Sequence, residues 1–139
     1  MSYEEKGVWA YLISSAGAYG GYLAIVLGRA AHTPLPQVSY VSALLLAFGV
    51  SIVISVVVRV VLETARPSDS RRRDVRDRQI YRLGEYAGHW FVIGGATAAL
   101  LMAMARWEYF WIANVIYLGF VLGTIVGSVV KLVAYRRGL

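Results

Sequence analysis

Four long stretches without Asp, Glu, Lys or Arg constrain the fold of this chain most, and they cover residues 8–27, 38–58, 86–105 and 109–130. A helix rises about 1.5 Å per residue, so roughly 20 apolar residues cross the hydrocarbon core of a bilayer. Every stretch reaches that length. We therefore expect an all-α, integral membrane bundle of four transmembrane helices, built from two consecutive hairpins with spans at about 8–28, 38–62, 84–105 and 109–134.

The composition agrees with a membrane protein. Of the 139 residues, 58% are hydrophobic and 16% are charged, against about 45–50% and about 25% in soluble domains. A soluble fold of this length has too much surface to hide so much apolar matter. The spans leave only tails and connections, so we expect a single membrane domain over residues 1–139. The chain contains no cysteine, which excludes disulfides, thiolate metal sites and a cysteine nucleophile.

The cations are distributed unequally between the two sides of the predicted membrane. Of 14 Lys and Arg residues, only Arg29 and Arg106 fall on the side of the two short turns. The other 12 share the side of both termini and the central loop, residues 63–85. Because cytoplasmic segments carry an excess of Lys and Arg, the sequence predicts that both termini and this loop are cytoplasmic.

The central loop at residues 63–85 combines seven arginines with five acidic residues. Its net charge of +2 is a weak footprint for nucleic acid, which we do not expect as a partner. The pairs Asp69–Arg73 and Asp74–Arg78 have the favourable i,i+4 order and indicate a salt-bridged helix that runs into the third span. Its arginines would rest on anionic lipid headgroups. The alternative is a docking site for a cytoplasmic protein partner.

Small residues recur along two spans at helical spacing. Gly17 and Gly21 belong to a seam of small residues on the first span, and Gly119, Gly123 and Gly127 form overlapping GxxxG units on the fourth. Membrane helices pack closely where small side chains let their backbones approach. These glycines therefore predict helix packing, either inside the chain or between copies in a homo-oligomer.

Five ionisable residues are expected at the cytoplasmic edge of the spans, and we call them the edge cluster: Arg59, Glu63, Glu85, His89 and Lys131. Charged groups inside membrane spans are costly and mark functional sites. If the helices bring these residues together, they form a candidate site for an anionic lipid or another anionic ligand. The alternative is that each cation reaches the interface separately and pairs locally.

The sequence offers little support for catalysis. His32 and His89 lie at opposite ends of the expected bundle, so they cannot hold one metal ion, and no HExxH, GxSxG or Walker motif occurs. We expect no enzyme activity, no cofactor and no metal. Asn114, near the outer end of the fourth span, is expected to donate a hydrogen bond between helices.

Three strings in the second half of the chain are DVRDRQI at residues 74–80, FWIAN at 110–114 and VKLVAYRR at 130–137. In these strings the chain resembles small four-pass bacterial membrane proteins of unknown function, although that group would have an acid where Val75 stands. The resemblance implies a multi-pass protein of the bacterial inner (plasma) membrane. It implies no activity and no catalytic residues.

These observations predict a non-enzymatic polytopic membrane protein. It would self-associate through glycine-rich helix faces and present its arginine-rich loop to a protein partner or to anionic lipid. The alternative is a subunit of a small homo-oligomeric transporter or channel. That alternative depends on three features: the similar ends of the second and fourth spans, Asn114 and the edge cluster. The similar ends indicate either duplicated hairpins or convergence under the same charge rule.

Overall fold

The computed structural model describes residues 2–65 and 75–138, and all regular structure in these ranges is helical. Four α-helices follow one another: α1 (Tyr3–Ala30), α2 (Val41–Thr64), α3 (Val75–Met104) and α4 (Tyr109–Arg137). A single 3-10 turn (Leu35–Gln37) separates α1 from α2. All four helices are long and apolar enough to cross a membrane, which confirms the prediction of four span-like helices.

Two helices begin before the predicted start of their membrane spans. α1 begins at Tyr3 because the Ser2 hydroxyl caps it by accepting from the backbone N–H of Glu5 at 3.2 Å. α2 continues to Thr64, and α3 is helical from Val75, the first residue described after the gap, so the described second half of the central loop is helical. Asp69, Arg73 and Asp74 lie outside the described residues, so the expected pairs Asp69–Arg73 and Asp74–Arg78 stay predictions.

The four helices form two antiparallel hairpins that pack on each other through α1 and α4. We call the end that carries Ser2, Ala65, Val75 and Gly138 the termini end, and the opposite end the turn end. In the described part of the chain, the extensive contacts between α-helices are α1–α2, α1–α4 and α3–α4. α2 and α3 therefore flank a side of the bundle that is not closed by direct helix packing.

Local chemistry explains where the turns fall. Pro34 and Pro36 stand between α1 and α2, where a helix cannot continue. Arg106 adopts a positive φ of 58° in the short turn between α3 and α4. Gly138 ends α4 with a φ of 75°, a left-handed conformation that glycine adopts without a steric penalty.

An aromatic cluster fills the bundle towards the turn end. Tyr22 is almost completely buried, and its ring lies edge-on to Tyr117 at 5.0 Å between centroids. Tyr19 and Phe48 contact the same Tyr117 ring at 5.3 and 5.1 Å. The cluster thus joins α1, α2 and α4.

A hydrogen bond between α1 and α4 lies beside this aromatic cluster. The Tyr22 hydroxyl donates to Oδ1 of Asn114 at 2.6 Å. The expectation that Asn114 donates between helices is wrong, because its Nδ2 donates instead to the carbonyl of Phe110 in its own helix at 2.7 Å. Asn114 is the acceptor because a tyrosine hydroxyl from α1 reaches it, a partner that the sequence of α4 could not reveal.

Candidate functional site

A groove of about 820 Å³ opens at the termini end of the bundle. Residues from all four helices line it, with α2 and α3 on its two sides and with α1 and α4 between them. Because α2 and α3 do not pack extensively on each other in the described structure, the groove is accessible from the side of the bundle between them. We call it the termini-end groove.

The structure brings all five residues of the expected edge cluster to this one groove. Arg59 and Glu63 come from the last turns of α2, Glu85 and His89 from the first half of α3, and Lys131 from the end of α4. The antiparallel hairpins explain this juxtaposition, since they bring the end of α2, the beginning of α3 and the end of α4 to the same end of the bundle.

Lys131 and Glu85 form the closer of two ion pairs in the groove. The Lys131 Nζ donates to Glu85 Oε1 at 2.7 Å and lies 4.1 Å from the centroid of the Tyr81 ring. The lysine side chain is only 12% exposed, whereas that of Glu85 is 58% exposed. Its aliphatic stem packs over Gly84, where an added Cβ would lie 2.5 Å from Lys131 Cε. The ammonium is therefore held in place, while the carboxylate still faces the groove and solvent.

Arg59 and Glu63 form a looser pair on α2. Their closest atoms, Nε and Oε1, are 3.6 Å apart, and the two side chains are 76% and 68% exposed. Exposed i,i+4 pairs of this kind contribute about 0.3–0.5 kcal/mol. Arg59 is therefore able to exchange its partner at little cost.

Glu4 is a charged residue of the groove that the sequence analysis missed. It lies in the first turn of α1, beyond the predicted start of the first span, and the α1–α2 hairpin places it next to the end of α2. The described lining therefore holds three carboxylates, Glu4, Glu63 and Glu85, against the two permanent cations Arg59 and Lys131. Glu4 also takes part in a further interaction, so the formal charges of these five residues do not give the net charge of the groove, and an anionic ligand stays a prediction.

Glycines let α3 and α4 approach to backbone contact along one wall of the groove. An added Cβ would lie 2.9 Å from the Gly88 carbonyl oxygen if placed on Gly123, and 2.9 Å from the Gly84 carbonyl oxygen if placed on Gly127. Gly119 meets Gly95 in the same way, with 3.1 Å between its added Cβ and the Gly95 Cα. The glycine face of α4 thus packs within the chain.

The glycines of α1 are in a different environment. Gly17 and Gly21 are both exposed, and a Cβ added to either would meet no described atom within 4 Å. Within the described structure they make no helix contact, so packing of this face against another copy stays a prediction.

A smaller recess of about 360 Å³ adjoins the groove on the side of the turn end. It shares Ser55 and Thr124 with the groove, and Phe48 and Tyr117 of the aromatic cluster line its far side. The Ser55 and Thr124 hydroxyls donate to carbonyls of their own helices at 2.7 and 3.0 Å. Each hydroxyl thus uses its one donor within its own helix, and its oxygen can still accept a hydrogen bond.

The described residues contain no group of three His, Cys, Asp or Glu side chains that could hold a metal ion. His89 lines the groove, whereas His32 lies in the turn between α1 and α2 at the other end of the bundle. Comparisons of the chain with protein-family models, curated proteins and solved structures find no match. The function must therefore be argued from the chemistry of the groove.

Proposed function

We propose that this chain is a non-enzymatic, multi-pass membrane protein that binds the polar head and upper acyl chains of a membrane amphiphile in the termini-end groove. The observation that carries the proposal is the convergence of charged residues from all four helices on one groove. The charged residues line the part of the groove nearest the termini end, and apolar side chains such as Val8, Val56, Val92 and Phe120 line the part further from that end. This division matches a molecule with a polar head and an apolar tail.

The location of the chain belongs to the same proposal. We place it in the bacterial inner membrane with both termini and the arginine-rich loop on the cytoplasmic side. The bias of 12 cations to 2 supports this orientation. Large apolar side chains exposed on α2 support insertion, because a water-soluble monomer rarely exposes such an apolar surface; they include Leu45, Leu46, Ile52, Val53, Val57 and Val60.

The size and access of the groove suit an amphiphile from the surrounding bilayer. Its volume falls within the range of about 300–1,000 Å³ that is common for small-molecule sites. In a bilayer, the opening between α2 and α3 would face acyl chains, so a lipid could enter sideways without leaving the membrane. The recess hydroxyls of Ser55 and Thr124 donate to backbone carbonyls and not to a general base, which supports binding without catalysis.

A bulky residue inside the groove tests this proposal. Val56 lines the groove, whereas its neighbour Val57 is similarly exposed on α2 but does not. We expect lipids to stabilise the purified protein saturably against thermal unfolding in a nonionic detergent. Val56→Trp should abolish the saturable part, and Val57→Trp should retain it. Equal responses of the two variants would contradict binding in the groove.

Self-association is the second part of the proposed function. The exposed small-residue face around Gly17 and Gly21 permits the close approach of a helix from another copy. The glycine face of α4 is already occupied by α3, so α1 offers the face for a homo-oligomer. We propose that the arginine-rich loop is presented beside this assembly to a cytoplasmic protein partner or to anionic lipid.

A small transporter or channel subunit is the alternative function, and the recess favours it. The recess shares lining residues with the groove, and Phe48 and Tyr117 line its side nearer the turn end. A transporter could use the groove and the recess as successive parts of one solute pathway. Substituting Tyr117→Ala would then produce a solute leak in proteoliposomes that the wild type lacks. If proteoliposomes that contain the Tyr117→Ala protein do not leak solute, this alternative is contradicted.

A further inference from the structure

We infer that the recess beside the termini-end groove is a second binding site, which takes the ring of a neutral, membrane-soluble phenol. The inference goes beyond the proposed function, because it does not depend on what the groove binds. It follows from the hydroxyls that line the recess, from one buried hydroxyl without a partner and from the aromatic rings around it.

The first step is the chemistry of the lining. Seven of the twelve residues that line the recess carry a hydroxyl, and none of these twelve described residues carries a charge. They include four serines from the middle of α1 and α2, namely Ser14, Ser15, Ser51 and Ser55. Polar groups at this depth of a membrane are costly unless they have hydrogen-bond partners. The lining therefore disfavours both an ion and a plain hydrocarbon, and it favours a neutral molecule with a polar group.

The second step is the hydroxyl of Tyr117. The residue is only 6% exposed, and its hydroxyl makes no hydrogen bond within the described part of the chain. Among the described side chains, Trp9 Nε1 is the one fully enclosed polar atom without a partner, so the Tyr117 hydroxyl reaches accessible space. Tyr117 lines the recess and not the groove, so we place this hydroxyl in the recess. Buried tyrosine hydroxyls usually have a partner, and a ligand in the recess would supply one here.

The third step concerns which hydrogen bonds the recess offers. The hydroxyls of Ser14, Ser55 and Thr124 donate to carbonyls of their own helices at 3.0, 2.7 and 3.0 Å. Their oxygens can still accept, whereas the Tyr117 hydroxyl is able to donate. A hydroxyl on the ligand suits both kinds of group, because its oxygen accepts from Tyr117 and its hydrogen is donated to a serine or threonine oxygen. An ether has the acceptor alone.

The fourth step concerns the body of the ligand. Phe48 and Phe120 line the recess together with Tyr117, and the Phe48 and Tyr117 rings are already 5.1 Å apart. Aromatic pairs are stabilised beyond the area that they bury, so a further ring is favoured beside them. The volume of about 360 Å³ lies near the lower end of the range of about 300–1,000 Å³ for small-molecule sites. It therefore suits a small ring system, and a phenol stays neutral at physiological pH because its pKa is about 10.

The experiment compares four probes on the full-length chain in nonionic detergent. Thermal unfolding is followed while 2-naphthol, its methyl ether, naphthalene-2-sulfonate or decahydro-2-naphthol is titrated at equal concentrations in the micelles. We expect 2-naphthol to stabilise the protein saturably, with an apparent affinity roughly tenfold above that of the methyl ether, as one buried hydrogen bond would give. The anionic sulfonate should not stabilise saturably, and the saturated alcohol should bind more weakly than 2-naphthol.

Removal of the unpaired hydroxyl tests the role of Tyr117. Tyr117→Phe keeps the ring and should weaken the binding of 2-naphthol roughly tenfold. Tyr109→Phe removes a hydroxyl from an exposed ring outside the recess and should not weaken it. Because the Tyr117 hydroxyl has no partner in the described structure, Tyr117→Phe should not lower the unfolding midpoint without a probe.

A bulky residue at the recess tests the location of the site. Ile52 and Val53 are neighbours on α2 with similar exposure, but of the two Ile52 alone lines the recess. Ile52→Trp should abolish saturable stabilisation by 2-naphthol, and Val53→Trp should retain it. This pair keeps the inference testable if Tyr117→Phe does not fold.

The outcomes that would overturn the inference are distinct from those that concern the groove. Equal affinities for 2-naphthol and its methyl ether would contradict the hydrogen-bond argument, and equal affinity for the saturated alcohol would contradict the choice of an aromatic ring. Equal responses of Ile52→Trp and Val53→Trp would place the probe elsewhere. If 2-naphthol does not stabilise the wild type saturably, the recess holds water alone and the inference fails. Each of these results leaves phospholipid binding in the groove untouched, and a failure of phospholipid binding likewise leaves the recess site standing.

Discussion

Gly88 and Gly123 lie backbone to backbone, so that a Cβ on Gly123 would stand 2.9 Å from the Gly88 carbonyl oxygen and 3.0 Å from a methyl group of Val92. The contact fixes how closely α3 and α4 approach beside the termini-end groove. This contact leaves no space for even one methyl group, and neither backbone can move away without displacing a whole helix.

Gly123→Ala should therefore destabilise the bundle. We expect a loss of about 1–3 kcal/mol, the usual cost of overpacking a close contact. Gly94→Ala is the matched control, because a Cβ on Gly94 meets no described atom within 4 Å. That change should be neutral or stabilise by up to about 1 kcal/mol, since alanine favours the helix over glycine. Thermal unfolding in detergent compares the two, and equal midpoints would remove the packing argument.

The hydrogen bond from Tyr22 to Asn114 should contribute measurably to the packing of α1 on α4. Interhelical hydrogen bonds in membrane proteins contribute about 0.6 kcal/mol on average and up to about 1.7 kcal/mol. Tyr22→Phe removes the buried donor and should lower stability within this range, while Tyr109→Phe, at an exposed ring, should not. A double-mutant cycle with Asn114→Leu measures the coupling directly. Strictly additive effects would show that the bond contributes nothing.

The sequence predicted the four helices well because length and lack of charge suffice to identify a span. The α4 glycines also stood out by their spacing, and they do lie at a helix contact. Gly84 and Gly88 of α3 also have GxxxG spacing and Gly95 follows seven residues later, but this spacing did not identify α3 as the partner of α4. Which helix face meets which depends on the tertiary arrangement, and periodicity within one helix does not encode it.

The groove was predictable only in part. The five residues of the edge cluster could be placed at one depth by their distance from the span ends. Glu4 could not, because it precedes the first uncharged stretch, and only the antiparallel contact of α1 with α2 brings it to Arg59 and Glu63. Charge inferred from span edges therefore needs the helix arrangement before it predicts a ligand.

The two ion pairs of the groove should differ in their contribution to stability. Lys131→Gln breaks a 2.7 Å pair at a mostly buried ammonium, and we expect a loss of about 1–2 kcal/mol after allowing for the half-exposed Glu85. Arg59→Gln breaks an exposed 3.6 Å pair and should cost less than about 0.5 kcal/mol. Midpoints of thermal unfolding without added lipid report the difference. A larger loss for Arg59→Gln would contradict the pairing described here.

The proposed orientation leads to a labelling experiment. The chain has no cysteine, so one introduced thiol is the only target of a thiol reagent. Ala65→Cys lies at the termini end and Thr33→Cys at the turn end, and both positions are exposed. In intact cells, a membrane-impermeant reagent should label Thr33→Cys and reach Ala65→Cys only after lysis. The reverse pattern would place both termini outside.

Self-association through α1 should respond to bulk at Gly21 without loss of the fold. Gly21 is exposed and a Cβ there meets no described atom within 4 Å, so Gly21→Leu should leave the thermal stability of a single chain unchanged. In an oligomer formed by close approach of two α1 helices, the leucine would push the backbones apart and weaken association.

Gly49→Leu is the control, because Gly49 of α2 is also exposed and open but lies outside the small-residue face of α1. Crosslinking in lipid nanodiscs or vesicles at several protein-to-lipid ratios measures the association. We expect the oligomer to decline in Gly21→Leu alone; a decline in both variants, or in neither, would place the contact between copies on another face or show that the chain is monomeric.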